Sequence, residues 1–209
     1  MSKGKTIASL VLNLLIFMVT TGVVVSYFFG TSKIIRNGYE CFMFFTTDSN
    51  VLAAVGALAV AICDVNILKG KTDRLPRAVT LLKYAGTVSV VLTFCTVMAF
   101  LVPIYGAERQ LTGTAFHMHL VAPIMALVSF VFFDPSLRMT KPAILAGMLP
   151  TVIYGAVYYF QVIITGQWND FYAFNLGGRW YVTMAIIFAA AFIIAFLIRL
   201  IKNKCSGEA

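Results

Sequence analysis

Residues 42–68 read FMFFTTDSNVLAAVGALAVAICDVNIL, in which a short polar run leads into almost pure hydrocarbon. Crossing the hydrocarbon core of a bilayer takes about 20 helical residues, and this stretch is long enough to do so. The polar run, residues 46–50, includes a carboxylate. The stretch therefore predicts a transmembrane helix with an unusual polar entrance.

Similar apolar runs occupy most of the remaining chain, at about residues 7–29, 78–105, 114–133, 143–164 and 180–201. The chain is 60% hydrophobic and only 11% charged, a composition that excludes an ordinary soluble domain. No small-residue cleavage signal follows the first run, which is therefore interpreted as a retained span. The expected fold is all-α, a polytopic integral membrane protein in which residues 1–209 form a single six-helix transmembrane domain.

The net charge of +8 is distributed unevenly between the two sides of the predicted bundle. The positive-inside rule then places both termini in the cytoplasm. Anionic lipid headgroups are a sufficient partner for this basic surface, and no nucleic-acid partner is expected. The residues assigned to the cytoplasmic side are Lys3, Lys5, Lys69, Lys71, Arg74, Arg77, Lys83, Arg138, Lys141, Arg199, Lys202 and Lys204, against Lys33, Arg36, Arg109 and Arg179 on the outer side.

The cysteines show no spacing that is typical of a metal or disulfide framework. Cys41, Cys63, Cys95 and Cys205 fall at different depths of the predicted bundle, without a CxxC motif. We therefore expect neither a metal nor another cofactor. Small residues between Gly56 and Gly86 offer a packing surface for a dimer, but no pattern specifies an oligomeric state.

The polar residues of the second and fourth spans are expected to meet. If the spans alternate in direction, both of these spans begin at the outer face, so their first turns lie at one level. Polar groups at such depths normally face the interior of a bundle. At about 100° per residue, Thr46 and Asn50 share one face, Ser49 lies near them, and Asp48 points elsewhere.

The fourth span carries both histidines of the chain, in the stretch TAFHMHLVAPIM. His117 and His119 diverge by about 200°, so only one can point fully into a shared cavity. We favour His119, because it lies deeper and Ala115 and Ala122 leave room beside it, whereas His117 can be solvated at the mouth. A hydroxyl and an imidazole are the minimum for base-assisted nucleophilic attack on an ester.

Further polar side chains on the outer half could complete a pocket for substrate. Interface anchoring is the expected role of Trp168 and Tyr172, and Arg179 either holds a substrate carboxylate or marks the start of the last span. The substrate-binding candidates are Tyr154, Tyr158 and Gln161, which share one helical stripe, together with Trp168, Arg179 and His117.

Several short motifs resemble one family. MFFTTDSN at 43–50, HMHLVAP at 117–123, ITGQW at 164–168 and FYAF at 171–174 are similar, in that order, to the androgen-inducible type of membrane hydrolase. Those multi-span proteins cleave fatty acid esters of hydroxy fatty acids with an intramembrane Thr and His. The chain also resembles six-span bacterial membrane proteins related to that family, which implies a bacterial plasma membrane.

The resemblance implies roles for individual residues. The nucleophilic Thr of the family falls on Thr46, with Thr47 selected by a shift of one residue. The family's His precedes a proline, as His119 precedes Pro123. In the loop after the fifth span, Ala173 stands where a proline is common, which leaves the identity of the substrate open.

The resemblance thus implies a lipid esterase in which Thr46 attacks, His119 acts as base, and Asn50 or Ser49 orients the pair or donates to the oxyanion. Its substrate would be a membrane lipid or fatty acyl ester. Two other hypotheses fit the same residues. A membrane protein or transporter could bind a lipid or small molecule at the polar cluster without chemistry, or the cluster could simply hold the helices together.

Overall fold

The computed structural model describes residues 2–30, 38–135 and 138–206. Within these ranges, six helices are long and apolar enough to cross a membrane. They are α1 Lys3–Phe29, α2 Phe45–Leu68, α3 Arg77–Tyr105, α4 Gly113–Phe133, α5 Ala143–Ile164 and α6 Trp180–Ser206. The predicted six-helix membrane bundle is confirmed.

The helices differ from the predicted spans mainly at their ends. α1 begins four residues early at Lys3, where the Ser2 hydroxyl accepts a hydrogen bond from the Lys5 amide. Residues Gly38–Met43 form a 3-10 helix, so α2 itself begins only at Phe45. Hydropathy locates the apolar core of a span, whereas polar helix ends extend beyond it and leave no hydropathy signal.

Widened π-helical turns interrupt α3 and α4 just before a proline. They span Val97–Leu101 before Pro103, and His117–Val121 before Pro123. Proline lacks the N–H group and its ring clashes with the carbonyl four residues back, which for Pro123 is that of His119. A π turn accommodates the missing hydrogen bond and the steric clash, and in α4 this turn contains the candidate site residue His119.

α3 is the central helix, packed against α2, α4, α5 and α6. α2 and α3 approach closely through glycine: a Cβ atom on Gly86 would lie 2.7 Å from Ala53 Cα, and one on Gly56 would lie 3.0 Å from Lys83 Cα. These glycines serve packing within the chain, so they do not provide the dimer surface that the sequence suggested.

The helices alternate in direction, as expected. Residues at the start of α2 contact residues of the first half of α4 at one end of the bundle, which we call the site end. Ser9 near the start of α1 contacts Asp64 near the end of α2 and Asp134 after α4, and Lys202 near the end of α6 also bonds Asp134, at what we call the termini end. The start of α1 and the end of α6 thus lie at the same end.

The prediction that all of the assigned basic residues form a cytoplasmic surface is wrong for two of them. Lys83 and Lys202 are buried, each donating a hydrogen bond inside the bundle. Lys83 follows a polar loop and Lys202 lies near the end of the last helix, so sequence position alone suggested exposure. Lys33 and Arg36 lie outside the described residues. Which end faces the cytoplasm remains a prediction from the positive-inside rule.

Candidate functional site

The hydroxyl of Thr46 and the imidazole of His119 lie side by side at the site end. Thr46 Oγ1 is 3.4 Å from His119 Nε2. Thr46 belongs to the first turn of α2, and His119 to the π turn of α4. The expected meeting of the second and fourth spans is therefore observed, and it brings together the residues singled out for their helical phase.

The other ring nitrogen of His119 determines the direction of this contact. His119 Nδ1 lies 2.7 Å from the backbone carbonyl oxygen of Gln110. A carbonyl can only accept a hydrogen bond, so Nδ1 carries the proton and Nε2 presents its lone pair to Thr46. The Thr46 hydroxyl is consequently the donor, in the arrangement that base-assisted nucleophilic attack requires.

Asn50 holds the two helices in this arrangement. Its Nδ2 donates to the carbonyl oxygen of Thr46 at 2.8 Å and to that of Met118 at 3.1 Å. Both amide hydrogens are thereby engaged with backbone next to the pair. Of the two roles considered for Asn50, orientation fits this geometry, because no hydrogen is left to donate to a substrate oxygen.

Ser49 is likewise occupied inside the bundle. Its Oγ is 3.1 Å from the carbonyl oxygen of Thr46 and 2.9 Å from Thr93 Oγ1. Thr93 in turn donates to the Ser89 carbonyl at 3.1 Å. The Ser49 hydroxyl is therefore engaged with hydrogen-bond partners on α2 and α3. Ser49 therefore joins α2 to α3 and does not face the imidazole.

Two cavities meet at Thr46. The first, with a volume of about 50 Å³, lies between α2, α3, α5 and α6, and its walls are almost entirely apolar. The second, with a volume of about 350 Å³, lies toward α4 and includes His119, Thr47 and Arg109 in its wall. Thr46, Leu101 and Tyr172 line both. The hydroxyl therefore stands between an apolar chamber and a more polar one.

Tyr172 is a site residue that the sequence placed at the membrane interface. It is buried instead, and its phenolic oxygen accepts a hydrogen bond from the Phe45 amide at 2.9 Å. Burial raises the pKa of this phenol to about 12, so its hydroxyl keeps its proton at neutral pH. The same hydroxyl also interacts with the side chains of Tyr154 and Thr46, so it belongs to the hydrogen-bonded group around the Thr46 hydroxyl.

Tyr154 and Tyr158 line the apolar cavity, where the sequence had placed substrate-binding candidates. Their hydroxyls are used to hold the site end together. Tyr154 donates to the Met43 carbonyl at 2.6 Å, and Tyr158 donates to Asp170 Oδ1 at 2.7 Å. Their rings thus form the wall, while the hydroxyls tie α5 to the start of α2 and to the loop before α6.

The remaining candidates lie apart from the pair. His117 and Arg179 are exposed, Gln161 accepts a hydrogen bond from Thr165, and Trp168 packs against Tyr158. None of these four lines either cavity. Thr47 does line the polar cavity, but the hydrogen bond of His119 is to Thr46.

Two contributors escaped sequence reasoning, the Gln110 carbonyl and the Arg109 guanidinium, while Tyr172 had been considered for the pocket and assigned to interface anchoring. Gln110 acts through its backbone, which leaves no trace in residue type. Arg109 lies over the Tyr105 ring, 5.3 Å from its centroid, on the short helix Ala107–Gln110. The signal available for Arg109 was its position in an outer loop directly before the histidine span.

Comparison with protein-family models, with curated proteins and with solved structures finds no match. The fold and the six apolar helices define the class, a multi-pass integral membrane protein. Within the described residues, no three His, Cys, Asp or Glu side chains come together in a group that could hold a metal ion. The site consists of a hydroxyl, an oriented imidazole, a buried phenol and a guanidinium around two joined cavities.

Proposed function

We propose that this protein is an intramembrane hydrolase of lipid esters, of the branched fatty acid ester of hydroxy fatty acid type. Thr46 is the nucleophile and His119 the base. The observation that carries the proposal is the hydrogen bond from His119 Nδ1 to the Gln110 carbonyl, because it leaves Nε2 unprotonated beside the Thr46 hydroxyl. The motifs shared with the androgen-inducible type of hydrolase support the same assignment.

In the proposed reaction, Thr46 Oγ1 attacks the ester carbonyl carbon while its proton passes to His119 Nε2. The tetrahedral intermediate collapses as His119 returns that proton to the leaving alcohol, which gives an acyl-threonine. Water, deprotonated by the same nitrogen, then releases the fatty acid and restores the hydroxyl. The Tyr172 hydroxyl is the proposed donor to the oxyanion, because it is protonated, lines both cavities and lies beside Thr46.

The two cavities suggest how the ester would lie. Its acyl chain would enter along the apolar cavity, which must widen to receive it, and its alkoxy portion would occupy the polar cavity, with any carboxylate near Arg109. The scissile carbonyl then falls at Thr46, where the chambers meet. With the termini in the cytoplasm of a bacterial cell, this substrate would enter from the outer leaflet of the plasma membrane.

The proposed reaction should be slow. The partner of His119 Nδ1 is a neutral carbonyl, not a carboxylate, so the imidazolium formed during attack receives less electrostatic stabilisation than in a Ser-His-Asp triad. Slow turnover is therefore an expected property of this arrangement.

The test is hydrolysis of a branched fatty ester by purified protein in detergent. Thr46→Ala and His119→Ala should each reduce the rate to background, while Thr46→Ser should retain part of it. The matched controls are Thr47→Ala and His117→Ala, which alter neighbouring residues of the same types and should retain activity. Full activity in both Thr46→Ala and His119→Ala would eliminate the assignment.

A second candidate is non-enzymatic binding of an anionic amphiphile by a transporter or carrier. Arg109 in the polar cavity and the apolar chamber beside it favour such a ligand without requiring chemistry. A fluorophosphonate probe separates the candidates. Covalent labelling at Thr46 or Thr47 supports the hydrolase, whereas saturable binding of a fatty acid without any adduct supports the carrier.

A further inference from the structure

A buried charged cluster at the termini end is unused by the proposed reaction. Asp64 lies 18 residues after Thr46 on α2, which corresponds to about 27 Å along the helix. Charged side chains inside a membrane bundle are costly and commonly mark proton or ion sites. The buried carboxyl cluster, as we call it, comprises Ser9, Asn13, Asp64, Lys83 and Asp134.

One hydroxyl connects the two carboxyl groups of this cluster. Ser9 Oγ lies 2.6 Å from Asp64 Oδ2 and 3.1 Å from Asp134 Oδ1. Asp134 Oδ1 also accepts hydrogen bonds from Asn13 Nδ2 at 2.9 Å and from Ser129 Oγ at 2.7 Å. Asp134 is therefore placed as the hydrogen-bond acceptor of the cluster, the role of an ionised carboxylate.

The number of hydrogens available for these contacts indicates that Asp64 is protonated. The Ser9 hydroxyl has one hydrogen and cannot donate to two carboxylates at once. Both contacts become hydrogen bonds if Asp64 carries a proton on Oδ2. Asp64 then donates to Ser9 Oγ, and Ser9 donates to Asp134 Oδ1. The shorter distance, at Asp64, suits the O–H···O bond of a carboxylic acid.

Two carboxyl oxygens without hydrogen-bond partners also indicate that Asp64 is protonated. Asp64 Oδ1 and Asp134 Oδ2 are buried and have no hydrogen-bond partner. An ionised carboxylate without compensating donors is expensive to bury, whereas a neutral carboxyl group is much less so. Protonation of Asp64 thus removes one of two such charges.

The neighbouring lysines do not pair directly with the carboxylates. Lys83 Nζ donates to Asn13 Oδ1 at 2.6 Å, and Lys202 Nζ donates to the Asp134 backbone carbonyl at 2.7 Å. Among the residues that the structure describes, the ion pair found is the exposed one between Asp73 and Arg74. Asp64 therefore has no ion-paired lysine to keep it ionised.

We propose that Asp64 is a proton-binding site of the bundle, which exchanges its proton with Asp134 through the Ser9 hydroxyl. In the transfer, the O–H bond of Asp64 breaks as its proton forms a bond to Ser9 Oγ. The original Ser9 O–H bond breaks at the same time, and that proton passes to Asp134 Oδ1. One proton moves from one carboxyl group to the other, and Ser9 is unchanged.

The groups that face Asp64 come from every helix packed around it. They are Ser9 and Asn13 on α1, Lys83 on α3 and Asp134 at the end of α4, with Cys63 beside Asp64 on α2 and Lys202 of α6 beyond Asp134. Because none of them belongs to the Thr46 site, the proton site and the proposed hydrolase can be tested independently.

Infrared spectroscopy of the purified full chain in lipid nanodiscs tests the proposal. The C=O stretching band of a protonated carboxylic acid should be present at neutral pH and should shift in heavy water because the proton exchanges. Asp64→Asn should remove this band, while Asp134→Asn, the exposed control Asp73→Asn and Thr46→Ala should retain it. A spectrum in which Asp64→Asn removes no such band would overturn the proposal.

Two further measurements test whether the Asp64→Asn variant is folded and whether a cation, not a proton, occupies the cluster. Asp64→Asn should keep the melting temperature of the parent protein, because its amide can donate to Ser9 in place of the carboxyl proton. If that variant does not fold, Ser9→Ala should shift the band without abolishing it, and an unshifted band would count against the relay. A melting temperature raised by Na⁺ but not K⁺, and insensitive to Na⁺ in Asp64→Asn, would identify a cation instead of a proton.

Discussion

At the scale of single residues, the role of each polar side chain depends on the hydrogen bonds that it already makes within the protein. Asn50 has both amide hydrogens bonded to backbone, whereas Tyr172 accepts a bond from Phe45 and keeps its own proton. Residues of similar polarity therefore have different roles. Asn50 positions the pair, and Tyr172 is the proposed donor to a substrate.

Replacement of Tyr172 by Phe tests this distinction. The change removes the proposed oxyanion donor while keeping the ring, so kcat should fall by about 100-fold. Loss of the acceptor for the Phe45 amide should also lower the free energy of unfolding by about 1 kcal/mol. Ester hydrolysis and thermal unfolding measure the two effects.

The control for this variant is Tyr158→Phe, which removes from the same aromatic wall a hydroxyl that donates to Asp170 and accepts from the Tyr172 amide, so it loosens the same loop without removing the Tyr172 phenol. It should lower stability by a similar amount and leave kcat nearly unchanged. Equal losses of kcat in the two variants would assign the effect to packing of the loop, not to an oxyanion donor.

At the scale of elements, helix ends and helix contacts decide the geometry. The π turn before Pro123 sets the direction of His119, and the short helix Ala107–Gln110 brings a carbonyl to its other nitrogen. α2 and α3 approach closely where Gly86 faces the Ala53 backbone. Through this contact the position of α2, and with it of Thr46, depends on a glycine of α3.

Substitution of Gly86 by Ala should separate α2 from α3. The added methyl group would lie 2.7 Å from Ala53 Cα and 2.9 Å from Ala53 N, which are backbone atoms that cannot move aside alone. Overpacking of this kind costs about 1–3 kcal/mol, so the melting temperature should fall. Gly22→Ala in α1 is the matched control, since no atom lies within 4 Å of its added Cβ. Equal melting temperatures for the two variants would show that the α2–α3 contact adapts.

At the scale of the whole molecule, two polar sites occupy opposite ends of one apolar bundle. Thr46 and His119 meet at the site end, and Asp64 and Asp134 meet at the termini end. The apolar middle of α2, residues 51–63, separates them. The orientation of this arrangement in the membrane is a prediction from the distribution of exposed basic residues.

Cysteine labelling in intact cells measures that orientation. Cys205 is exposed at the termini end, and Glu108 is exposed at the site end. With Cys41 replaced by Ser, a membrane-impermeant maleimide should label Glu108→Cys in intact cells and Cys205 only after the membrane is permeabilised. Labelling of Cys205 in intact cells would reverse the topology and place the Thr46 site toward the cytoplasm.

The sequence by itself determined the six spans, their alternation and the level at which Thr46 and His119 meet, because apolar length and helical phase are local properties of the chain. Only the tertiary structure decided that the Gln110 carbonyl holds His119, that Tyr172 contacts Phe45 across 127 residues, and that Lys83 is buried. Such contacts depend on how helices rotate against one another and where loops run. Neither is encoded in the period of a single helix, so these polar partners could be found only after the bundle had been packed.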